Sequence, residues 1–196
     1  NMSISCPPAQ WLSSCRFADQ KDNQMKIAYT IAPGHGDTDL LLERVATLLA
    51  AKGFRTCGTV QINTEKSDGP CDMDVRVLPD GPVLRISQNL GAGSRGCRLD
   101  PTILETAIDL VSKTLDQGAD LLIVNKFGKH EASGRGFRTV IADALERDIP
   151  VIVGVNALNL SAFEDFAGSD IKQLAPNSAA ISDWYFNCAD KYQAVG

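Results

Sequence analysis

The sequence predicts an α/β fold of three layers, with helices on both sides of a mainly parallel sheet. Two runs, Leu121 to Val124 and Pro150 to Val155, are apolar without alternation, as strands buried on both faces are. Between the strand candidates lie stretches with apolar residues three and four apart, the pattern of helices that cover a sheet. The 196 residues suffice for one domain with a sizeable core.

The elements follow in order. KIAYTIA (26–32) reads as a strand, and residues 33–38 as a turn. A helix over about 38–52 carries Leu41, Val45, Leu48 and Leu49 on one stripe, with Gly53 as terminator. Thr56 to Gln61 reads as a short strand, and 62–72 as a polar loop containing Gly69-Pro70. Asp74–Val77 and Pro82–Ile86 flank Asp80-Gly81, a hairpin signal. Residues 87–100 are glycine-rich and irregular. Asp100 is placed to cap a helix whose first residue is Pro101. Its stripe is Leu104, Ile108, Val111 and Leu115, and Gly118 ends it. After the 121–124 strand come a charged loop (125–135), a helix (137–147) and the 150–155 strand. Helices near 158–166 and 178–190 close the chain. Residues 25–196 read as a single α/β domain, and 1–24 as a tag remnant or an irregular N-terminal extension.

Composition narrows the function. A net charge of −5 argues against general nucleic-acid binding, which needs a basic face. No apolar run has the length of a membrane span, and residues 1–25 lack the basic start and apolar centre of a signal peptide. The six cysteines form no Cys-x-x-Cys pair, so they read as reduced thiols of a cytoplasmic protein.

Right-handed crossovers place the 33–38, 125–135 and 155–158 loops on one edge, beyond the strand C-termini, where ligands of such sheets bind. Gly34, His35, Gly36, Asp37 and Thr38 join a strand to a helix, as a phosphate-binding P-loop does. A P-loop ends Gly-Lys-Ser/Thr; here the triplet is Gly36-Asp37-Thr38, and the motif's first glycine falls on Ile31. The turn therefore reads as an anion site with degenerate chemistry, or as a tight turn capped by Asp37 or Thr38. In Gly91, Gly93, Ser94, Arg95, Gly96, Cys97 and Arg98, glycines permit close backbone approach and the arginines offer forks for oxyanions. The alternative is a surface loop with two solvated arginines. Asn125, Lys126, Lys129 and Arg135 make the third loop basic, and Glu131 within it is the candidate base. P-loop enzymes carry an acid on the Mg²⁺ side where this chain has Asn125 and Lys126. Cys71 and Cys97, with Asp72, are candidate metal ligands, or else thiols packed as small hydrophobes.

CDMDVRVL (71–78), RISQNLGAGSRGCRLDP (85–101) and LLIVNKFGKHEASGRGF (121–137) resemble a bacterial family of unknown function associated with molybdenum transport. A more distant similarity is to the small P-loop nucleoside-triphosphatases of thermophiles. Gly53-Phe54-Arg55-Thr56 matches their Gly-Phe-x-Thr, and Gly128-Lys129-His130-Glu131 their Gly-Lys-Met-Glu. Asp37 and Asn125-Lys126 depart from the lysine and Asp-Glu of that pattern. The resemblance implies a P-loop-NTPase-like fold with a degenerate phosphate-binding loop. It implies a small anionic ligand: molybdate, tungstate, or a molybdenum-cofactor or nucleotide form. A second copy of the chain or a molybdenum-pathway protein is the implied protein partner. Two other readings stand beside it: a nucleoside-triphosphatase or nucleotide-dependent enzyme with rearranged catalytic residues, and a protein-interaction module.

Overall fold

The computed structural model describes residues 26–67, 69–88 and 98–193. The segments 1–25 and 89–97, with the expected contacts of Gly91, Gly93, Ser94, Arg95, Gly96 and Cys97, lie outside the described residues.

The elements are β1 (Ile27–Thr30), α1 (Asp37–Ala51), β2 (Thr56–Lys66), β3 (Gly69–Leu78), β4 (Val83–Arg85), α2 (Pro101–Asp116) and β5 (Leu121–Phe127). There follow α3 (Lys129–Ala132), α4 (Arg138–Glu146), β6 (Val151–Val155), a 3₁₀ turn (Ala157–Asn159), α5 (Leu160–Ala167), β7 (Lys172–Leu174) and α6 (Ser178–Gln193). The described strands form one seven-stranded sheet in the order β4-β3-β2-β5-β6-β1-β7. Strands β2, β5, β6, β1 and β7 run parallel, and β3 and β4 extend the sheet antiparallel.

The apolar strand runs split by parity, because successive side chains leave a strand on opposite faces. Leu122, Val124, Val151 and Val153 pack with Leu104, Ile108 and Val111 of α2, with Val140 and Ile141 of α4, and with Phe163 of α5. Leu121, Ile123 and Ile152 pack on the other face with Leu42, Val45 and Leu49 of α1 and with Ile181 and Trp184 of α6. The expected three layers are therefore present. No helix of the described residues is long and apolar enough to cross a membrane.

Three local readings are corrected. Residues 62–72 are not a loop: β2 runs to Lys66 and pairs with β3 as a ribbon from Gly58–Leu78 out to Lys66–Gly69. Thr64, Glu65 and Lys66 are exposed, so no alternation marks them as strand. The helix cap is neither Asp37 nor Thr38 but Gly36, left-handed at φ 83°, and no side chain caps it. Thr38 Oγ1 instead accepts the Ala32 N–H at 3.3 Å. Strand β7 has no sequence signature, since only Leu174 of its three residues is buried. The predicted cap of α2 is present: Asp100 accepts N–H bonds from Thr102 and Ile103, with Pro101 following.

Gly58 sits between Leu78 of β3 and Ile123 of β5 at φ 113°, where a methyl group would overlap the Ile123 carbonyl oxygen. Gly58→Ala is expected to lower stability by a few kcal/mol, about 1–3 from the left-handed backbone and about 1–3 from the overlap. Urea denaturation reads this as a lower midpoint, and an unchanged midpoint would refute the close packing of β2 on β5.

Candidate functional site

The C-terminal ends of the parallel strands bring the Gly34–Gly36 turn, the loop after β5 and the loop after β6 to one edge of the sheet. A cleft of about 740 Å³ opens there on the α2 side. Its floor is apolar: Met73, Val75, Ile86, Leu99, Leu104 and Phe137. Arg98, Lys126, Lys129 and His130 supply its basic side chains, and Thr59, Gln61, Asn125, Asn156 and Asn159 its neutral polar groups. Leu158, 93% exposed, stands among the lining residues in the 3₁₀ turn after β6.

The structure thus brings together Arg98, Asn125, Lys126, Lys129 and Glu131. It does not bring Gly34, His35, Gly36, Asp37, Thr38 or Arg135 into this lining. The single site expected from the sequence is two places, one at the start of α1 and one on the opposite face of the sheet. At the turn, a methyl group on Gly34 would overlap the Asp37 carboxylate, so that carboxylate lies directly against the turn.

Asn125, at the end of β5, joins the two places. Its Nδ2 donates to Asp39 Oδ1 at 2.7 Å, and its Oδ1 accepts the Gln61 N–H at 3.0 Å. Asp39 Oδ2 accepts from Asn63 Nδ2 at 2.6 Å, and Asn63 Oδ1 accepts from Gln61 Nε2 at 2.7 Å. Lys126 Nζ lies 3.9 Å from Asp39 Oδ1. Asp39 is only 2% exposed, a buried carboxylate held by two amides and a lysine. Sequence reading passed over Asp39, Gln61 and Asn63. A signal existed for Asp39: it falls at i, i+3, i+7 and i+10 with Leu42, Ala46 and Leu49, which puts an acid on the buried stripe of α1.

Glu131, the expected base, is 3% exposed and bound by backbone. Its Oε2 accepts the Gly128 N–H at 2.9 Å and its Oε1 the Phe137 N–H at 3.4 Å. Gly136, at φ 67°, leaves the room this carboxylate fills. The role expected of a free base is thus replaced by that of a tie across the 128–137 loop. His130 Nε2 pairs with Glu105 at 2.9 Å, linking α3 to α2.

Arg98 also differs from a free fork. Its Nη1 donates to the Cys71 carbonyl at 2.8 Å and its Nε to the Gln88 carbonyl at 3.4 Å. It fastens the segment after β4 to β3, beside a Ser87–Leu99 bridge. Asp72 gathers Lys66 at 2.6 Å and Arg85, with Arg98 at 4.0 Å. The Lys66 hydrogen bond holds the Asp72 carboxyl below the usual aspartate range, with partial desolvation opposing and the arginines assisting. Cys71 is half-buried, and the described residues hold no group of three or more His, Cys, Asp or Glu placed for a metal. Burial pushes the Cys57 thiol up to about 11, so it stays a neutral core side chain.

A family model covers nearly the whole described chain. The chain belongs to the family described as "Protein of unknown function (DUF2478)", matched over residues 27–184. This DUF2478 member is 33% identical over 181 residues to the Molybdenum import ATP-binding protein ModC 2 of Bradyrhizobium diazoefficiens. The match takes in 91% of this chain and 20% of that protein, so the chain spans about a fifth of its relative's length. Among solved structures, it is similar to THEP1 from the hyperthermophile Aquifex aeolicus, with TM-score 0.54 and 13% identity over 82% of this chain and 95% of that one. A human cancer-related nucleoside triphosphatase is similar with TM-score 0.52 and 16% identity, over 86% and 96% of the two chains. These likenesses establish the P-loop-NTPase-like α/β fold.

The Asp39 network generates a prediction. Asp39→Ala leaves the buried Nδ2 of Asn125 and the partly buried Nδ2 of Asn63 without their acceptor. An orphaned buried donor costs about 1–3 kcal/mol, so the variant is expected to lose roughly 2–5 kcal/mol in chemical denaturation. A loss under ~0.5 kcal/mol would mean that the network is not a stabilising element.

Proposed function

We propose that the cleft binds a small anionic ligand: a molybdenum-cofactor or nucleotide form, or molybdate or tungstate. The observation that carries this reading is that Lys126 and Lys129 line one cleft at the ligand edge of an acidic chain, beside the carbonyl-bound Arg98. Clustered cations in a low-dielectric cleft focus a positive potential that draws in an anion. Lys129 is exposed and has no ion-pair partner among the described residues, so its charge is available to a ligand. The name of the molybdenum-import relative favours cargo from molybdenum metabolism, as substrate or ligand rather than as a resident cofactor.

The turn at α1 fits the phosphates of a nucleotide poorly. Asp37 stands at the lysine position, and its carboxylate lies against Gly34. Asn125 stands at the end of β5, and its amide is committed to Asp39 and to the Gln61 backbone. Neither place offers the cation and free carboxylate with which P-loop enzymes hold phosphate and Mg²⁺. The reading as a rearranged nucleoside-triphosphatase is less favoured, because Glu131 is tied to two backbone N–H groups.

Two outcomes test this. Phosphate release from Mg-ATP or Mg-GTP should not rise above the no-protein control, while Asp37→Lys should strengthen nucleotide binding. Steady wild-type turnover that Glu131→Gln abolishes would instead establish the enzyme reading. Second, a thermal-shift screen of sodium molybdate, sodium tungstate, pyrophosphate, GMP and 6-carboxypterin should raise the melting temperature with at least one of them. Isothermal titration of that ligand should then weaken roughly ten-fold in Lys126→Ala and in Lys129→Ala, since a charged hydrogen bond is worth about 1.5–3 kcal/mol. No shift with any of the five would refute ligand binding and favour an interaction module.

A further inference from the structure

The chemistry of the cleft goes further than the sign of its ligand. Resting on the reading that this cleft is the ligand site, we infer that it is shaped for a planar nitrogen heterocycle bearing an anionic group, and not for a bare oxyanion.

Size is the first argument. The cleft measures about 740 Å³. Pockets for organic ligands span about 300–1,000 Å³ and combine apolar walls with a few placed polar groups. A tetrahedral oxyanion needs donors converging on all sides. Against a floor such as Val75, Ile86 and Leu104 it would lose hydration and gain nothing. A flat ring system buries its faces there at no such penalty.

The second argument is the orientation of one amide. The Asp39 carboxyl accepts from the Nδ2 of Asn63. Asn63 Oδ1 must then accept, and it takes Gln61 Nε2. Gln61 is 8% exposed and lines the cleft, and its amide keeps both the carbonyl oxygen and the second Nε2 hydrogen. That oxygen has no partner among the described residues. An acceptor beside a donor on one amide matches the paired N–H and acceptor on the edge of a nitrogen heterocycle, a pattern a bare oxyanion lacks. Lys129, exposed on α3, supplies the cation for the anionic group.

Leu158 is the third. Leu158, 93% exposed, offers an apolar side chain at the margin of the cleft. It belongs to the cleft lining, on a 3₁₀ turn held by Asn156 Oδ1 accepting the Asn159 N–H at 3.0 Å. A ring lying in the cleft would pack beneath it.

Titration calorimetry on the full chain tests this with four probes. GMP and 6-carboxypterin carry a ring and an anionic group; pyrophosphate and sodium molybdate carry charge alone. At least one ring-bearing probe is expected to bind roughly ten-fold or more tighter than either simple anion. Leu158→Ser should weaken the ring-bearing probe by about ten-fold, with simple-anion binding and melting temperature unchanged. Gln61→Glu, which makes the acceptor an anion, should weaken all four. Should molybdate or pyrophosphate bind as tightly as the ring-bearing probes, with Leu158→Ser affecting none, the heterocycle inference fails while the anion site stands. If no probe binds wild type, the anion site itself fails, and this inference with it.

Discussion

Asp39 puts a carboxylate into the seam between α1 and the strand ends, and the geometry of the ligand edge depends on how that charge is satisfied. Taking an ion out of water is expensive unless partners replace the lost hydration. Here the partners are Asn63, Asn125 and, at longer range, Lys126. Asn63 belongs to β2 and Asn125 and Lys126 to β5, so solvating one charge fixes β2 and β5 relative to α1. Gly154 of β6 completes the seam. A methyl group there would overlap the Asn125 carbonyl oxygen and press on the Thr38 side chain, so its absence lets α1 come down onto the sheet.

This arrangement sets the start of α1 apart from the phosphate-binding turn of P-loop proteins. In P-loop proteins the helix start and the neighbouring strand end are kept electrostatically open, and the ligand and its metal complete them. In this protein side chains of the chain itself lie on the same ground. Asp37 covers the turn, Asn125 answers Asp39, and Lys126 places an ammonium near the buried carboxylate. Of the two positions that sequence reading marks as departures, the Asn125-Lys126 pair meets the buried Asp39, and Asp37 lies against Gly34. The basic side chains left over face the other side of β5, where the cleft opens.

Much of the fold was legible because its signals are local. The unbroken apolar runs of β5 and β6, the Asp100-Pro101 helix start and the Asp80-Gly81 hairpin each declare themselves within a few residues. The outer half of the β2–β3 ribbon and all of β7 did not, since a strand solvated on both faces, or three residues long, leaves no periodic trace. The site was legible in part. Basic residues on the loops at the ligand edge were readable, but what they contact was not. That Arg98 spends its guanidinium on the carbonyls of Cys71 and Gln88 depends on pairings 27 and 10 residues away. Gln61 and Leu158 were invisible for another reason: an amide in a strand and a leucine in a turn are ordinary until tertiary structure shows one buried and the other bare.

The two margins of the sheet bear on how a second copy of the chain could associate. Strands β4 and β7 close it on either side, and each is only three residues long. On β4, Arg85 turns its charge back onto Asp74 and Asp72; on β7, Lys172 is exposed. Margins this short and this charged offer a passing strand almost no ladder to join. Among the described residues, growth of the sheet into a continuous fourteen-stranded surface by edge-to-edge pairing of two copies is therefore disfavoured.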